Sequence, residues 1–396
     1  MEEKADLLSG LLVIDMTNNI AGPCAGLLLA ERGAEVIHIE RPGSGDDNRR
    51  FLPMLDGTSL AHMWANSGKK SVTLDLKDEK DLALLNSMLM QADVLIESYR
   101  PGVMDKIGLG YDAVKKQNSR LIYCSISAFG HSGPYTSKPG YDIIAQAYSG
   151  IMYMTGEKNG PPIKSGMAIG DFVGAINAFG SIMTALYYRE KTGLGQHVDI
   201  SLARGLLWFN GHFNYPVTGQ SSERTGNHAW NIAPYGVFNG KDGSVVIGAL
   251  TPNTWEYLCK AIGREDLCND PAYCTNDVRC THIPQIIDVI ETWLKTFDHV
   301  ADACEILDHA GVPVSKINSP DDLYTDPHAT ECQWIQPVQT PDSVTSADVL
   351  PVCTGLADFS RGALHCSSAP DLGQNNSEIK TRFGTQNKEQ NVHQEE

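Results

Sequence analysis

The chain has 396 residues, of which 42% are hydrophobic and 20% are charged, and its formal net charge is −17. This length and composition provide enough apolar surface for two cores of moderate size, so we expect a two-domain globular protein. The acidic balance excludes an extended basic face for nucleic acid. No uninterrupted apolar run approaches the roughly 20 residues of a membrane span, and the acidic first residues differ from a signal peptide. We therefore expect a soluble cytoplasmic protein without a membrane partner.

The first third of the chain alternates predicted strands with predicted helices. Short apolar runs between turn residues predict buried strands, and longer runs with helical periodicity predict helices. The predicted strands are 11–16, 35–40, 71–76, 93–97 and 120–126, and the predicted helices are 23–32, 80–90 and, further along, 172–188. This alternation predicts an α/β fold with a parallel sheet covered on both faces. Ligands of such sheets bind outside the carboxyl ends of the strands.

A nicotinamide-dependent dehydrogenase is the competing interpretation of this pattern. Its Gly-x-Gly-x-x-Gly fingerprint should follow the first strand, where residues 17–26 instead read Thr-Asn-Asn-Ile-Ala-Gly-Pro-Cys-Ala-Gly. The spacing of these glycines is wrong for the fingerprint. Gly43 and Gly45 follow the second strand, but two aspartates come next, where a pyrophosphate would lie. The sequence therefore argues against a dinucleotide site.

The cysteines give no sign of a metal site or of disulfides. All 10 occur singly, without a Cys-x-x-Cys pair, which favours reduced thiols. Cys268, Cys274 and Cys280 recur at intervals of six residues, but zinc sites favour closer pairs. We predict no metal and no permanently bound cofactor.

Basic side chains cluster near the predicted strand ends of the first third. In so acidic a chain, a polyanionic ligand has to be held by a few well-placed cations. The candidates are Arg41, Arg49, Arg50, Lys69, Lys70, Lys77, Arg100 and Lys106.

Asp171 is the single carboxylate in the apolar stretch 167–175, at the start of a predicted helix. One interpretation is that Asp171 caps this helix by accepting hydrogen bonds from its first N–H groups, for about 1 kcal/mol of stability. The other is that this carboxylate attacks an acyl carbonyl while nearby N–H donors stabilise the developing charge. The residue types and their spacing leave both interpretations open.

Blocks of sequence in a fixed order run from residue 10 to about residue 375. They are Asp15–Thr17, Ala21–Pro23, Gly33–Asp46, Tyr99–Gly102, Gly108–Tyr111, Gly140–Gly150, Met167–Ala175, Lys191–Ser201, Gly226–His228, Pro234–Tyr235, Ala310–Pro313, Asp326–His328 and Leu372–Gln374. In this order and spacing, the blocks resemble the class III CoA-transferase family, which includes formyl-CoA, carnitine and succinyl- or acetyl-CoA:dicarboxylate CoA-transferases. The resemblance implies a CoA-transferase in which Asp171 is the covalent nucleophile.

The same resemblance implies contacts with acyl-CoA, which would be a substrate and not a bound cofactor. Arg41 would meet the adenine end, a strand with Leu74, Asp75 and Lys77 would line the nucleotide, a loop with Ser98, Tyr99 and Arg100 would pack beside the pantetheine, Lys106 would contact phosphate, and Tyr141 and Asp142 would contact the acyl-CoA opposite the nucleophile. The second substrate would be a small carboxylic or dicarboxylic acid such as succinate, oxalate or glutarate. Arg224, Asn227 and His228 are candidates to bind a distal carboxylate.

The resemblance also implies a Rossmann-like large domain and a smaller α/β domain in an interlocked-ring homodimer. Residues 1–222 would form the first part of the large domain, with the CoA site and the nucleophile. Residues 223–322 would form the small domain, and residues 323–380 would return to the large domain. Residues 381–396 are polar and charged, so we expect a disordered tail there.

Two alternatives to a transferase remain. An α-methylacyl-CoA racemase of the same fold family needs a second base opposite the aspartate. The resemblance implies Gly-His-Asp-Ile in such racemases at the block where this chain has Gly140-Tyr141-Asp142-Ile143. A tyrosine, with a reference pKa of about 10, is a poor replacement for histidine in proton transfer. The histidines at 131, 197, 228 and 309 are candidate bases only if folding brings one beside Asp171. The second alternative is a non-catalytic CoA-binding protein.

Overall fold

The computed structural model describes residues 4–210, 217, 219 and 223–384. The chain divides into two compact units. Unit 1 takes in the residues up to Ile151, those of Ser165–Gly211 and those from Pro327 onwards, and unit 2 those of Met152–Lys164 and His212–Asp326. The sequence-based boundaries at 222/223 and 322/323 differ from this division in three respects. The first boundary falls at 211/212. The short segment Met152–Lys164 groups with unit 2, and the return to unit 1 begins at Pro327.

Most strands of unit 1 belong to one sheet. The described strands are β1 (Leu12–Met16), β2 (Glu35–Glu40), β3 (Met54–Leu55), β4 (Thr58–Ser59), β5 (Lys70–Thr73), β6 (Val94–Glu97), β7 (Ile122–Ser127), β8 (His197–Ser201), β9 (Tyr235–Asn239), β10 (Ser244–Gly248), β11 (Val314–Lys316), β12 (Ile335–Gln339) and β13 (Val349–Cys353). Among them, a six-stranded sheet has the order β5-β2-β1-β6-β7-β8, and all of its neighbouring strands are parallel. This is the strand order of the Rossmann fold, with a topological switch point between β1 and β6. The predicted α/β fold with a parallel sheet is therefore confirmed.

The helices flank this sheet and complete unit 2. They are α1 (Ala21–Ala30), α2 (Leu60–Ala65), α3 (Glu79–Leu89), α4 (Val103–Lys106), α5 (Tyr111–Gln117), α6 (Asp142–Tyr148), α7 (Ile151–Met154), α8 (Ile169–Thr192), α9 (Leu202–Asn210), α10 (Pro252–Ala261), α11 (Asp266–Asn269), α12 (Asn276–Cys280), α13 (Ile283–Leu294), α14 (Val300–His309), α15 (Pro327–Glu331) and α16 (Asn376–Gly384), with short 3₁₀ helices at Asp47–Arg50 and Asp321–Tyr324. Apolar residues of α1, α8 and α9 bury one face of the sheet. Residues of α3, α4, α5 and α16 bury the other face. The strands are buried on both sides, which explains their continuous apolar sequences.

Helix α8 (Ile169–Thr192) is longer than the helix predicted for residues 172–188. By length and composition its 24 residues could span a membrane, although Asn177, Ser181 and Thr184 interrupt its apolar run. One face of α8, with Val173 and Ile182, is buried in the core of unit 1. The other face leaves Ile176, Tyr187 and Tyr188 exposed. The buried face is typical of a core helix, and the exposed apolar face is free for a further contact.

Unit 2 has its own core around a three-stranded antiparallel sheet with the order β11-β10-β9. Helix α13 contributes Ile286, Ile290 and Leu294, which are spaced by four residues and therefore share one helix face. These side chains pack with Phe238 of β9 and Trp255 of α10.

The C-terminal segment differs from the predicted disordered tail. Residues 381–384 belong to α16, in which Ile379 and Phe383 are almost completely buried against the outer face of the sheet. Arg382 adds an ion pair with Glu35 of β2 at 2.8 Å. The prediction of disorder from residue 381 is wrong for these four positions, because Ile379 and Phe383 anchor an otherwise polar helix in the core. Residues 385–396 lie outside the described residues.

We predict that Phe383→Ala lowers the free energy of unfolding by about 3–5 kcal/mol, because it leaves a cavity in a packed core. Lys380→Ala, on the exposed side of the same helix, is the matched control and should change stability by about 0.5 kcal/mol or less. Urea unfolding of both variants measures the difference. Equal stability of the two variants would contradict the docked position of α16.

Candidate active site

The fold brings Asp171 to the edge where the parallel strands end. Residues 193–196 connect the end of α8 to the start of β8, so α8 runs antiparallel to the strands. Its N-terminus therefore points towards the carboxyl edge of the sheet, as does the N-terminus of α1, which follows β1. Gly174, one turn after Asp171, lies so near α1 that an added Cβ would be 3.8 Å from the Cβ of Ala21. Asp171 is in the first turn of α8 and thus lies beside the start of α1.

Asp171 does not cap its helix. The N-cap residue of α8 is Ala168, and no side chain of the helix makes a capping hydrogen bond. The N–H of Gly170 instead donates to Oδ1 of Asp142 at 2.6 Å, and Nε2 of Gln146 donates to Oδ2 of Asp142 at 2.6 Å. Within the described part of the chain, no hydrogen bond to the Asp171 carboxylate is present. The capping interpretation of Asp171 is therefore wrong, and Asp142 has that role.

The environment of Asp171 makes its carboxylate unusually basic. Burial, and then the negative charge of Asp142, raise the pKa of Asp171 from 3.8 to about 7. A desolvated carboxylate with a neighbouring like charge binds a proton more tightly, because both effects disfavour its ionised form. Catalytic groups commonly have such perturbed pKa values.

Glycine is required where α6 meets α8. A Cβ at Gly170 would lie 2.8 Å from Oδ1 of Asp142 and 3.1 Å from Cδ1 of Leu206. A Cβ at Gly140, just before α6, would lie 2.7 Å from the Cβ of Ala128 in the turn after β7. The two glycines allow the start of α6 to pack between the end of β7 and the start of α8. This packing is what places Asp142 next to Asp171.

The predicted CoA-binding residues lie at neighbouring strand ends. Arg41 follows β2, Leu74 to Lys77 follow β5, and Ser98 to Arg100 follow β6. The hydroxyl of Ser98 accepts a hydrogen bond from the N–H of Asn18 at 3.0 Å, across the switch point between β1 and β6. Burial raises the pKa of Tyr99, which is also close enough to Arg41 to be affected by its charge.

The exposure of these residues varies. Leu74 is buried and its N–H donates to the carbonyl of Glu40 at 3.0 Å, whereas Asp75, Lys77, Arg100, Lys106 on α4 and Tyr141 at the start of α6 are exposed. The predicted contacts of all these side chains with CoA stay predictions.

The two aspartates after Gly45 leave the loop after β2 suitable for an anion. Asp46 is buried, so its charge faces the interior. Asp47 is shared by Arg41, whose Nη2 lies 2.6 Å from Oδ1, and by Arg50. Two guanidinium groups around one carboxylate leave a net positive charge at the surface. The sequence alone did not reveal that Asp46 points into the interior, or that two arginines surround the single negative charge of Asp47.

A polar network that was not predicted from the sequence lies beside β6 and β7. A cavity of about 190 Å³ is lined by Glu97, Arg100, Gly102, Met104, Asp105, Gly110, Tyr111, Asp112, Tyr123, Ser125, His131 and His197. His131 Nδ1 lies 3.1 Å from Oδ1 of Asp199, and His197 Nε2 lies 2.9 Å from the Ser125 hydroxyl. Both histidines of unit 1 that were considered as racemase bases are therefore engaged in this network. The pKa of Asp171, in contrast, responds to Asp142.

Four candidate residues, Arg224, Asn227, His228 and His309, lie in unit 2. Asn227 is exposed, and its carbonyl accepts from the N–H of Val237 at 3.1 Å. Arg224 donates to the carbonyls of Tyr153 at 2.7 Å and Glu157 at 3.3 Å, so its guanidinium holds the segment 152–164. The ring of His228 packs on Phe238 at 5.1 Å. His309 Nδ1 bonds to the carbonyl of Glu305 in its own helix at 2.7 Å.

Comparison with known proteins identifies the family. The model of CoA-transferase family III matches residues 8–376, nearly the whole chain. The chain belongs to this family. The resemblance inferred from the ordered sequence blocks is confirmed, and the protein is a class III CoA-transferase.

Similar proteins include curated transferases and solved structures. The acetyl-CoA:oxalate CoA-transferase of Acetobacter aceti is 40% identical over 78% of this chain and 80% of its own length. The succinyl-CoA–D-citramalate CoA-transferase of Chloroflexus aurantiacus is 34% identical over 94% of this chain and 93% of its own length. The crystal structure of a CAIB/BAIF family protein from Brucella suis is 32% identical with a TM-score of 0.84, covering 95% of this chain and 99% of that one.

We predict that Asp142→Asn moves the acidic limb of the kcat/KM profile of the transferase to lower pH by on the order of 1 unit. Asp171 must be ionised to attack, so activity falls as the pH falls through its pKa of about 7. Removing the charge of Asp142 lowers that pKa, while the asparagine oxygen still accepts from Gly170.

The measurement is the pH dependence of kcat/KM for acyl-CoA between pH 5 and pH 9. Asp348→Asn, an exposed site just before β13, is the control and should leave the limb in place. An unchanged limb in Asp142→Asn would show that another group controls it.

Proposed function

We propose that the transferase moves CoA from succinyl-CoA, acetyl-CoA or a similar donor to a small carboxylic or dicarboxylic acid, with Asp171 as the covalent nucleophile. The observation that carries the proposal is the state of Asp171: half-buried, without a hydrogen-bond partner in the described structure, and raised in pKa to about 7. A carboxylate with these properties is poorly solvated and therefore a stronger nucleophile than an ordinary aspartate. Its position at the carboxyl edge of a Rossmann-like sheet adds support, since ligands bind there.

The first half of the reaction transfers CoA to the enzyme. A carboxylate oxygen of Asp171 attacks the donor thioester carbonyl, the C–S bond breaks, and CoA leaves as the thiolate, which gives a mixed aspartyl anhydride. The thiolate then attacks Cγ of Asp171, and the donor acid leaves as a carboxylate. The product is an aspartyl-CoA thioester.

The second half transfers CoA to the acceptor. The acceptor carboxylate attacks Cγ of the aspartyl thioester, which releases the CoA thiolate and forms a second anhydride. The thiolate attacks the acceptor carbonyl, and the carboxylate of Asp171 is regenerated. Every step exchanges one acyl bond for another, so the chemistry needs no redox group and consumes no water. The half-buried site around Asp171 limits competing hydrolysis of the anhydrides.

The acid substrates are inferred from the relatives. The names of similar enzymes specify oxalate, glutarate, D-citramalate and mesaconate as acceptors and acetyl-CoA or succinyl-CoA as donors. We infer that a short dicarboxylate is the acceptor. The loop with Arg41 and Arg50 supports binding of the anionic CoA moiety, because its net charge is positive.

The experiment combines an acceptor panel with an isotope label. Acetyl-CoA and succinyl-CoA are mixed with ¹⁸O-labelled oxalate, succinate, glutarate, citramalate or mesaconate, and products are identified by mass spectrometry. The proposed path leaves the bridging oxygen of the second anhydride on Asp171, so a peptide containing Asp171 should gain one ¹⁸O atom after one turnover. Asp171→Ala should lose the exchange activity by a factor of at least about 10³.

The outcomes separate the alternatives. New acyl-CoA without label in Asp171 would refute the covalent path but retain the transferase. Binding of CoA without any exchange would favour a non-catalytic CoA-binding protein. Exchange of the α-proton of a 2-methylacyl-CoA with deuterated solvent, in the absence of CoA transfer, would favour the racemase.

We also propose that the transferase is a homodimer. Unit 1 exposes apolar side chains on three of its helices: Ile143, Ile144 and Tyr148 of α6, Ile176, Tyr187 and Tyr188 of α8, and Leu207, Trp208 and Phe209 of α9. Exposed apolar surface of this kind is typical of a protein interface. A second copy of the chain is the occupant that the family resemblance implies, in an interlocked ring.

Sedimentation measurements at micromolar concentration should give twice the chain mass. Ile176→Asp together with Tyr187→Asp should shift the protein towards monomer, because each places a charge in a desolvated interface. Lys80→Asp, exposed in the first turn of α3, is the control for a change of charge alone. A monomeric wild-type protein at these concentrations would refute the dimer.

A further inference from the structure

A fully buried histidine lies between two fully buried carboxylates beneath the candidate site. His38 of β2 has no solvent exposure. Its Nδ1 lies 3.3 Å from Oδ2 of Asp15 on β1, and its Nε2 lies 3.3 Å from Oδ2 of Asp46 in the loop after β2. A neutral imidazole has one N–H and can donate to only one of these oxygens. With a proton on each nitrogen, the imidazolium gives both carboxylates a charged partner at ion-pair distance.

The same carboxylates hold the loops that follow β1 and β2. Oδ1 of Asp46 accepts from the N–H of Asn19 at 2.9 Å and from the N–H of Asn48 at 3.0 Å. Oδ1 of Asp15 accepts from the N–H of Thr17 at 3.1 Å. These hydrogen bonds tie the start of the β1 loop to the loop that carries Arg41.

A count of buried charges leads to the same protonation state. The carboxylates are Asp15, Asp46 and Glu40, and the permanent cations are Lys69, 2.8 Å from Asp15, and Arg49, 2.6 Å from Glu40. Without a proton on His38, the cluster has three negative and two positive charges and therefore one uncompensated buried carboxylate. With the proton, the charges balance. An unpaired buried charge is strongly destabilising, so the charged histidine is the favoured state.

The other buried histidine of this region does not supply the missing charge. His62 of α2 accepts a hydrogen bond from Nδ2 of Asn66 at 3.0 Å through Nδ1, and its Nε2 faces the carbonyl of Pro370 at 3.1 Å. This pattern fits one protonated nitrogen, as in a neutral ring. Burial, and then the charge of Arg49, lower the pKa of His62 to about 4.

We propose that His38 is a permanently protonated positioning residue, whose imidazolium joins Asp15 and Asp46 and thereby holds the loops after β1 and β2 in the arrangement that binds CoA. The part of this proposal that concerns CoA rests on the proposed function. Ser98, which bonds to Asn18 of the β1 loop, and Arg41 of the β2 loop are thus kept at a fixed separation across the switch point.

The electrostatic environment agrees with this geometry. Burial by itself lowers the pKa of His38, but the neighbouring carboxylates of Asp15 and Asp46 raise it to about 10. The reference pKa of histidine is about 6.5, so the stabilisation is fully present below that value and is lost as the pH rises through about 10. The imidazolium should therefore persist throughout the neutral range.

The first test uses the unmodified protein. Long-range ¹H–¹⁵N correlation spectra of the ¹⁵N-histidine-labelled enzyme distinguish an imidazolium from either neutral tautomer, and His38→Gln assigns the signal. We expect His38 to show the imidazolium pattern at pH 8, when exposed histidines have become neutral. A neutral tautomer at that pH would overturn the proposal, whatever the activity of the enzyme.

The second test is a double-mutant cycle on stability. His38→Gln leaves one carboxylate without a counter-charge and should lower the thermal midpoint. Asp46→Asn in the same background removes that charge, while its oxygen still accepts from Asn19 and Asn48. The double variant should therefore be more stable than His38→Gln alone. If the two changes were additive or worse, His38 would not be a charged partner of Asp46.

Kinetics test the link to CoA. We expect His38→Gln to raise KM for acyl-CoA about tenfold with a smaller change in kcat, and the double variant to recover part of this loss. An equal loss of kcat at unchanged KM would refute a role in positioning the CoA loops. Absence of transferase activity in the wild type would refute the proposed function, while the spectra and the stability cycle would still decide the charge of His38.

Discussion

The central constraint in this structure is the half-buried carboxylate of Asp171, which receives no hydrogen bond from the described residues. Asp171 loses part of its solvation in the first turn of α8, where Asp142 accepts the N–H of Gly170 and adds a neighbouring negative charge. The arrangement is unfavourable by itself, because desolvation and like charge both disfavour the ionised form. It persists because α8 is held along its whole buried face by the sheet and by α1 and α9. The large core thus stabilises a reactive group that the local sequence would not.

Close packing and glycine are what make this constraint geometrically feasible. Gly170 and Gly174 let α8 approach Asp142 on one side and Leu202 on the other, closer than an added Cβ would permit. A substitution there would move the first turn of α8 and change the charge environment of Asp171 together with its position. Packing and catalysis are therefore coupled at the same residues.

A chain with a net charge of −17 binds a polyanion only if positive side chains outnumber negative ones at the surface of the binding site. The structure does so by turning carboxylates inward, where they pair with cations from other elements. Asp46 and Glu40 are buried against His38 and Arg49, and Asp15 is buried against Lys69. Arg41 and Arg50 stay at the surface around Asp47. The sign of the surface potential at the site therefore depends on which acids are buried, not on composition.

Much of the sheet was predictable because its signals are local. Buried strands are continuous apolar runs, and the predicted segments near β1, β2, β5, β6 and β7 agree with the structure to within a few residues. Strand β8 was missed because His197 and Asp199 interrupt its apolar pattern with polar side chains that join the network beside β7. The helical residues 381–384 were predicted to be disordered because this end of the chain is mostly polar. The burial of Ile379 and Phe383 outweighs the polar composition of α16.

The sequence by itself determined the fold class, the family and the identity of the candidate nucleophile, since these follow from periodicity and from ordered blocks along the chain. It left open whether Asp171 caps a helix or remains uncompensated. Only the tertiary structure decided this, because the competing hydrogen-bond acceptor, Asp142, is 28 residues away from Gly170 in the chain. The charge of His38 depends in the same way on Asp15 and Asp46, which belong to different segments. Protonation and solvation are set by neighbours in space, and those neighbours come together only when the sheet has formed.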